Sequence, residues 1–337
     1  MGYIINRRNG LGMATALGLL GLLGGLLGGL PAQAQDTPAP DAQGKTVIAS
    51  IVFMGDQFMT SMQSGIRDVA KAHGAEVLEL NIDGDITKEA QAIDTYISRG
   101  VDAILIAPVS ATNSAAALAR AKAKGITIVA LNGGLADPDL ADATFATEDR
   151  ELGTHTGEAA AAFIKDRMGG RAKIGILAFS SLLPEQSAAR VGGFRDTVTK
   201  GTQIDILGTQ DAWMPEKAVQ VATDMLTAHP DINLLFAANE GGTVGAMQAV
   251  RNAGRMGKVY VFGIDGSEQL ARGLMASDDV LQATTAQSGQ AMGRAGAEAA
   301  FALMEATGQV AKMNKVPVVP LQRGQKDAIM RYVATLR

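Results

Sequence analysis

From Lys45 onward, short apolar runs alternate with segments in which apolar residues recur at helical spacing. The first run, TVIASIVF, has almost no polar side, which predicts a strand buried on both faces of a parallel sheet. The next segment, at about residues 57–73, places Met59, Met62 and Ile66 on one face and predicts a helix. Strands that alternate with helices in this way predict an α/β fold with a doubly wound parallel sheet.

The same alternation continues through two series. In the first, predicted helices at about residues 88–99 and 113–124 separate the predicted strands AEVLELN, DAILIAP and GITIVAL. The second has predicted helices at about residues 150–168, 188–200, 215–228, 242–253 and 289–304, and predicted strands AKIGILAF, QIDILG, NLLFAA, VYVFGID and VLQATTA. A chain of 337 residues is long enough for about two domains. The sequence therefore predicts two doubly wound lobes in tandem.

The N-terminal segment predicts an export signal that is not part of the fold. A pair of arginines precedes an uncharged apolar run at residues 11–30, and the small residues of Ala32-Gln33-Ala34 follow. We expect cleavage after Ala34, so residues 1–34 are interpreted as a signal peptide and residues 35–45 as a linker. The alternative is a retained membrane anchor, because about 20 apolar residues can span a bilayer. The paired arginines are compatible with twin-arginine export, and the apolar run also suits the general route.

Composition and charge exclude several classes of function. The net charge of -4 offers no basic surface to a phosphate backbone, so we expect no nucleic-acid partner. The chain has no cysteine, which excludes disulfides, thiolate metal sites and thiol nucleophiles. His73, His155 and His229 are scattered, without a partner at helical spacing or a nearby carboxylate cluster. We therefore predict neither a metal site nor a cofactor.

Candidate ligand contacts lie where the predicted strands end. Doubly wound sheets bind ligands beyond the carboxyl ends of their strands, and pockets favour the interface between domains. Neutral amides, isolated carboxylates and aromatics dominate these ends, which read MGDQFM, APVS and NGG in the first lobe and SSLLPEQ, DAWM, NEGG, DGS and AQS in the second. Aromatic faces stack on the C–H side of a sugar ring, while amides, carboxylates and arginine pair with neighbouring hydroxyls. The inventory predicts a polyhydroxylated small molecule.

Five stretches carry a resemblance to a known family: KTVIASIVFMGDQFMTSMQSGIRDVAKAHG, SAARVGGF, MLTAHPDINLLFAANEGGTVGAMQAV, VYVFGIDGS and QATTAQSGQAMG. In their order and spacing, residues 45–320 resemble the ribose-binding protein family of periplasmic sugar-binding proteins. The resemblance implies a type I periplasmic binding protein fold, in which a three-crossover hinge joins two lobes. It implies a monomeric, non-enzymatic protein of the periplasm that grips a sugar or polyol between its lobes and delivers it to an ABC transporter permease of the inner membrane.

Under this resemblance each lobe is discontinuous in sequence. The N-terminal lobe is predicted at residues 46–147 plus 288–317, and the C-terminal lobe with its tail at residues 148–287 plus 318–337. The final segment, QRGQKDAIMRYVATLR, has the pattern of a short amphipathic extension, and the sequence assigns it no role.

The resemblance implies ligand contacts at Asp56, Phe58, Met59 and Arg190. Asp56 stands where the family commonly has asparagine, and Phe58 and Met59 stand where ribose binders have paired stacking phenylalanines. Arg190, in RVGGF, matches an arginine that donates to ring and hydroxyl oxygens. The alternative for Arg190 is a solvated charge on a helix surface.

Four further contacts follow from the same resemblance. Trp213 matches a stacking aromatic, Asn239 an amide that contacts hydroxyls, Asp265 the carboxylate that ends the strand VYVFGID, and Gln287 an amide beside the hinge. Each of three has a plain alternative. Trp213 could cover the helix that follows it, Asp265 could cap its own following helix, and Asn239 could be an N-cap.

Three positions depart from the ribose-binding pattern. Ala107 stands where ribose binders have asparagine, and Asn132-Gly133 replaces an Asp-Arg pair that grips sugar hydroxyls. Sites built around hydroxyl contacts discriminate ligands by orders of magnitude, so loss of this pair predicts a ligand other than ribose. Gly133 and Ala107 also free volume. Asn132-Gly133 is a strong turn dipeptide, and we expect Asn132 to keep one hydroxyl contact.

Two other classes of protein are disfavoured. An enzyme would need a recognisable catalytic pattern, but no Gly-x-Ser-x-Gly or Walker-type motif occurs, and GGTVG lacks the dinucleotide spacing. A glycosidase pair would be Asp56 and Asp265, which fall on opposite lobes. A sugar-sensing transcription factor would need a helix-turn-helix, whereas an export signal stands at the N-terminus.

A chemoreceptor partner is compatible with the binding role. The charged helix at residues 89–99 is interpreted as solvated surface.

Overall fold

The computed structural model describes residues 45–52 and 57–336. The predicted signal peptide, nearly all of the predicted linker and the predicted contact Asp56 fall outside the described residues. Across the part of the chain that is described, no helix combines the length and the apolar character needed to span a bilayer.

Twelve strands and ten helices make up the described chain. The strands are β1 (Val47–Ile51), β2 (Glu76–Leu80), β3 (Ala103–Ile106), β4 (Thr127–Leu131), β5 (Ala143–Ala146), β6 (Arg171–Ala178), β7 (Gln203–Asp211), β8 (Leu234–Ala237), β9 (Tyr260–Ile264), β10 (Leu281–Ala286), β11 (Met313–Lys315) and β12 (Val319–Gln322). The helices are α1 (Gln57–Ala72), α2 (Ile86–Arg99), α3 (Ala115–Ala123), α4 (Asp149–Arg167), α5 (Pro184–Val198), α6 (Pro215–Ala228), α7 (Glu240–Asn252), α8 (Glu268–Met275), α9 (Gly289–Met304) and α10 (Lys326–Ala334).

The first sheet has the strand order β11-β5-β4-β3-β1-β2, and every neighbouring pair in it is parallel. Helices cover both faces, so the central strands are buried, with Ile48, Ile104 and Ile128 fully inaccessible. Helix α9 packs against α1 and β4. We call this sheet with α1, α2, α3 and α9 the first lobe.

The second sheet has the order β12-β10-β9-β8-β6-β7 and is parallel except at β12, which runs antiparallel to β10. Helix α4 packs on α5 and β10, and α10 packs on α8 and β12. We call this sheet with α4 to α8 and α10 the second lobe.

The chain passes between the lobes three times. The crossings lie between β5 and α4, between β10 and α9, and between β11 and β12. The predicted fold class, two doubly wound α/β lobes joined by three crossovers, is confirmed.

Four elements were not predicted from the sequence: β5, α8, β11 and β12. Three of them are strands of three or four residues, too short to show an alternating pattern. Strand β12 also contains Pro320, which is tolerated because this strand lies at the edge of its sheet. The C-terminal segment forms the regular helix α10.

Candidate functional site

Arg190 lies at the centre of a buried ionic network in the second lobe. The side chain is 4% exposed, and its Nε donates to Oδ1 of Asp149 at 2.8 Å. Its Nη1 donates to the carbonyl oxygen of Ala238 at 3.1 Å and lies 3.8 Å from Oδ2 of Asp265. The guanidinium also lies over the ring of Phe179, 5.1 Å from its centroid. The alternative interpretation of Arg190 as a solvated helix charge is therefore wrong.

Asp149, the first residue of α4, shows the electrostatic character of this network. Burial raises the pKa of the Asp149 carboxyl above its usual range, although the nearby Arg190 acts in the opposite direction. The negative charge of Asp265 adds to the increase in the pKa. The two carboxylates therefore share one guanidinium in a region that is poorly hydrated.

Asp265 is held from three sides at the end of β9. Its backbone φ is +77°, in the left-handed region that non-glycine residues rarely adopt. Oδ2 accepts from the N–H of Glu240 at 2.9 Å, and Oδ1 accepts from Nε2 of Gln287 at 2.8 Å. Because Glu240 begins α7, Asp265 stabilises the N-terminus of a neighbouring helix. The following helix, α8, is capped by Ser267, so the alternative role of Asp265 as its cap is wrong.

Two amides lie beside Asp265. Gln287 is 2% exposed, and within the described part of the chain its Oε1 has no hydrogen-bond partner. Asn239 is the N-cap of α7, since its Oδ1 accepts from the N–H of Gly242 at 3.1 Å. Its Nδ2 donates to the carbonyl oxygen of Trp213 at 2.9 Å, and this bond holds the backbone of Trp213, whose side chain is half-buried. The N-cap alternative for Asn239 is confirmed.

The Asn132-Gly133 turn lies where β4 ends in the first lobe. Asn132 has φ +62°, as a tight turn at this position requires, and its N–H donates to the carbonyl oxygen of Phe145 at 2.9 Å. Its own carbonyl oxygen accepts from Nε2 of Gln186 at 2.6 Å. Gln186 belongs to α5, so this hydrogen bond joins the two lobes.

The other predicted contacts of the first lobe are apolar and buried. Phe58 and Met59 begin α1 and are at most 6% exposed. Ala107 follows β3, and its N–H donates to the carbonyl oxygen of Ile51 at 3.0 Å. Ala107 directly follows β3, and Phe58 and Met59 belong to α1, the helix that comes after β1, which pairs with β3.

Two cavities open between the lobes. The first, of about 460 Å³, is lined by Gly133 and Val109 of the first lobe and by Asp149 and Gln186 of the second. Leu182 and its neighbours add an apolar wall.

The second cavity, of about 380 Å³, is lined by Phe58 of the first lobe and by Glu240, Gly266 and Leu336 of the second. Arg190, Asp265 and Gln287 line neither cavity. Arg190 is bonded to Asp149, which lines the first cavity, and Asp265 is bonded to Glu240 and precedes Gly266, which both line the second.

No group of three or more His, Asp and Glu side chains within residues 45–52 and 57–336 is placed to hold a metal ion. The donors and acceptors gathered at the strand ends are instead guanidinium, carboxylate and amide groups. This set suits hydrogen bonding to neutral hydroxylated molecules.

Comparison with known proteins decides the family. A family model for the periplasmic binding protein domain matches residues 48–309. The chain belongs to this family.

Two relatives are similar to this periplasmic binding protein over most of their length. A xylitol-binding protein from Mycolicibacterium smegmatis is 30% identical, over 99% of this chain and 91% of the relative. The D-allose-binding periplasmic protein of Escherichia coli is 29% identical, over 78% of this chain and 86% of the relative.

A solved structure supports the same fold. The solute-binding protein of an ABC transporter from Bacillus halodurans C-125, solved with bound myo-inositol, superposes with a TM-score of 0.77 at 21% identity. The match covers 88% of this chain and 99% of that chain. The two-lobe α/β architecture is thus shared with a solved member of the ABC transporter binding proteins.

Glu89 is a buried residue of this binding protein that the sequence analysis missed. It is fully buried in α2, and its Oε2 accepts from the N–H of Val109, in the loop that lines the first cavity, at 2.8 Å. Burial raises the pKa of the Glu89 carboxyl. The interpretation of residues 89–99 as solvated surface is wrong at Glu89, although Asp94 and Arg99 of the same helix are exposed. No sequence pattern distinguishes this glutamate from an ordinary one in a first helical turn.

Gln186 is the second residue that was not singled out. It stands at the end of SSLLPEQ, one of the strand-end stretches, but the family resemblance selected other positions. Its bond to Asn132 depends on how the two lobes meet, which the sequence does not encode locally.

Proposed function

We propose that this periplasmic binding protein captures a sugar or sugar-like polyol between its lobes and delivers it to an ABC permease of the inner membrane. The observation that carries the proposal is the buried polar network of the second lobe, because Asp149 and Glu240, which belong to it, line the two cavities between the lobes. Arg190 supplies donors, Asp265 supplies acceptors, and the buried Oε1 of Gln287 offers a further acceptor. A neutral polyol can use both kinds of group, because each hydroxyl donates and accepts. The xylitol- and allose-binding relatives support the same ligand class.

We propose that the ligand contacts are those implied by the family resemblance: Asp56, Phe58, Met59, Ala107, Asn132, Gly133, Arg190, Trp213, Asn239, Asp265 and Gln287. Two features favour a ligand that is larger than ribose or differently substituted. Gly133 carries no side chain where ribose binders grip hydroxyls, and it borders the first cavity. Ala107 likewise has a smaller side chain than the asparagine that ribose binders have at this position.

The proposed mechanism is closure of the lobes around the solute. A ligand that contacts both lobes favours the closed arrangement, because only there are all of its contacts made. The hydrogen bond between Gln186 and Asn132 acts in the same direction. No catalytic step is proposed, since Asp149 and Asp265 are both engaged with Arg190.

The mature protein is proposed to be a periplasmic monomer that begins at Gln35. Its lobes are proposed to comprise residues 46–147 with 288–317 and residues 148–287 with 318–337. The mass of the secreted chain tests cleavage after Ala34, and light scattering tests the monomer.

A thermal-shift screen tests the ligand class. The panel contains xylitol, D-allose, D-ribose and myo-inositol, together with amino acids as a different solute class. A ligand at 100 times its dissociation constant stabilises by about 2.7 kcal/mol, which is several degrees for most domains. We expect a carbohydrate or polyol other than ribose to give the largest shift. If only amino acids raise the melting temperature, the sugar proposal is wrong.

A further inference from the structure

The C-terminal helix α10 brings a buried tyrosine hydroxyl to the strand ends of the second lobe. The Tyr332 hydroxyl lies 3.0 Å from the carbonyl oxygen of Gly266 and 3.1 Å from that of Gln287, and its single proton is shared between these two acceptors. Gly266 directly follows Asp265, and Gln287 directly follows β10. One hydroxyl therefore contacts the backbone at or beside two of the proposed ligand contacts.

The contact is built by close packing. A Cβ added at Gly266 would lie 2.6 Å from both Cε1 and the hydroxyl oxygen of Tyr332, closer than real atoms approach. Ile329, on the preceding turn of α10, is 1% exposed within the core of the second lobe. The helix is therefore anchored on one face, and the ring of Tyr332 occupies space that only glycine at position 266 leaves open.

The backbone that Tyr332 contacts at Gly266 directly follows the strained residue Asp265. Asp265 has φ +77°, and such a conformation persists in a non-glycine residue only when its surroundings fix it. The side chain of Asp265 accepts hydrogen bonds from Gln287 and from the N–H of Glu240 at the start of α7. Its carboxylate is therefore bonded to one residue that Tyr332 contacts, Gln287, and belongs to the residue before the other, Gly266. A bond to the carbonyl oxygens of Gly266 and Gln287 thus restrains the two segments that set the position of this carboxylate.

The chemistry of Tyr332 suits a permanent donor. Burial raises the pKa of its hydroxyl, and the negative charges of Asp265 and Glu240 raise it further. The hydroxyl therefore keeps its proton at neutral pH. Its acceptors are carbonyl oxygens, which can bond only to a donor.

We propose that Tyr332 is a positioning residue of the ligand site, which holds the backbone at Gly266 and Gln287 so that Asp265 and Gln287 present their polar groups to the solute. The C-terminal segment is thereby part of the binding machinery. This inference rests on the proposed function, because it concerns the same site.

Calorimetric titration of Tyr332→Phe tests the proposal. The probes are xylitol, D-allose, D-ribose and myo-inositol, and the comparison uses those that the wild-type protein binds. The matched control is Tyr260→Phe, which removes a hydroxyl that bonds the carbonyl oxygen of Gly257 at 3.0 Å, at the other end of β9. We expect Tyr332→Phe to raise the dissociation constant about three- to tenfold, and Tyr260→Phe to leave it within about twofold.

Equal affinity of Tyr332→Phe and the wild type would overturn the inference, as would an equal loss of affinity in both variants. If the wild-type protein binds none of the four probes and only amino acids raise its melting temperature, the proposed ligand class fails; in either case hydrogen exchange tests the positioning role separately. We then expect faster amide exchange in Tyr332→Phe within residues 265–268 and 287–291, and unchanged exchange in α2 and α3 of the first lobe. Unchanged exchange in both segments would reject the role of Tyr332.

Discussion

Arg190 is charged, almost fully buried and flanked by the carboxylates of Asp149 and Asp265. A buried ion pair adds little to stability, because its desolvation offsets much of the attraction. The burial of the Arg190 guanidinium is therefore better explained by the polar groups that it positions than by a contribution to the stability of the fold. Among the described residues, Asn132 and Asp265 are two of five non-glycine residues with positive φ, and each directly follows a strand, β4 in the first lobe and β9 in the second.

Arg190→Lys tests the guanidinium at this scale. Lysine keeps the positive charge but lacks the planar fork that reaches Asp149, Ala238 and a ligand oxygen together. We expect the dissociation constant of the carbohydrate selected by the screen to rise about tenfold or more. Arg195→Lys, an exposed position on the same helix, is the control and should bind as the wild type does. Wild-type affinity in Arg190→Lys would remove the guanidinium from the ligand contacts.

Glu89→Gln tests the buried carboxyl. Because the pKa of Glu89 is raised by burial, the folded state favours its protonated form, and the native protein loses stability as the pH rises through that pKa. Glutamine stays neutral and can still accept from Val109. We expect the variant to gain stability over the wild type as the pH rises above the ordinary glutamate pKa of about 4.3, with little difference below it.

Urea unfolding at a series of pH values measures this difference. Glu216→Gln, an exposed glutamate in the first turn of α6, serves as the control. A stability difference for Glu89→Gln that does not change with pH would contradict the account of Glu89.

At the scale of elements, α4 and α5 approach each other through glycines. A Cβ added at Gly153 or Gly193 would overlap backbone atoms of the facing helix, including the carbonyl oxygens of Arg190 and Arg150. This approach brings Asp149, at the start of α4, within hydrogen-bond distance of Arg190 on α5. The geometry of the ionic network therefore depends on Gly153 and Gly193, although neither residue has a polar side chain.

Gly193→Ala should force the two helices apart. We expect a loss of about 1–3 kcal/mol in the free energy of unfolding, because the backbone cannot yield as a side chain can. Gly192→Ala is the control on the same helix, where an added Cβ meets only the flexible tip of Arg150 at 3.2 Å. That variant should be neutral or more stable by up to about 1 kcal/mol. Equal stability of both variants would show that the close approach is not required.

Helix periodicity and apolar runs predicted the long elements, including α6 and α9 with the same boundaries that the structure has. Local sequence could not reveal β5, β11 and β12, because strands of three or four residues form only where a neighbour pairs with them. The burial of Glu89 was likewise invisible, since it depends on a loop from another strand. The polar residues at the strand ends were predictable from topology, whereas their bonds to one another were not.

In the whole molecule, both polar and apolar contacts join the lobes around the two cavities. The bond from Gln186 to Asn132 joins α5 of the second lobe to the turn after β4 of the first. A contact made only when the lobes are together stabilises the closed state relative to the open one. If the solute binds the closed state, the population of that state scales the apparent affinity.

Gln186→Ala should therefore weaken binding without unfolding either lobe. We expect the dissociation constant to rise about two- to tenfold, the equivalent of one hydrogen bond, with little change in melting temperature. Gln248→Ala removes an exposed amide that bonds only Asn252 of its own helix at 2.7 Å, and it is the control. Unchanged affinity in Gln186→Ala would show that this bond does not contribute to closure.

A crystal structure of the protein with the carbohydrate that most raises its melting temperature would locate the bound solute. We expect the solute between the lobes, with hydroxyls about 2.7–3.2 Å from the guanidinium of Arg190 and the carboxylate of Asp265, and with contacts to both lobes. A solute bound on the outer face of one lobe, or held by one lobe alone in a closed molecule, would contradict this expectation.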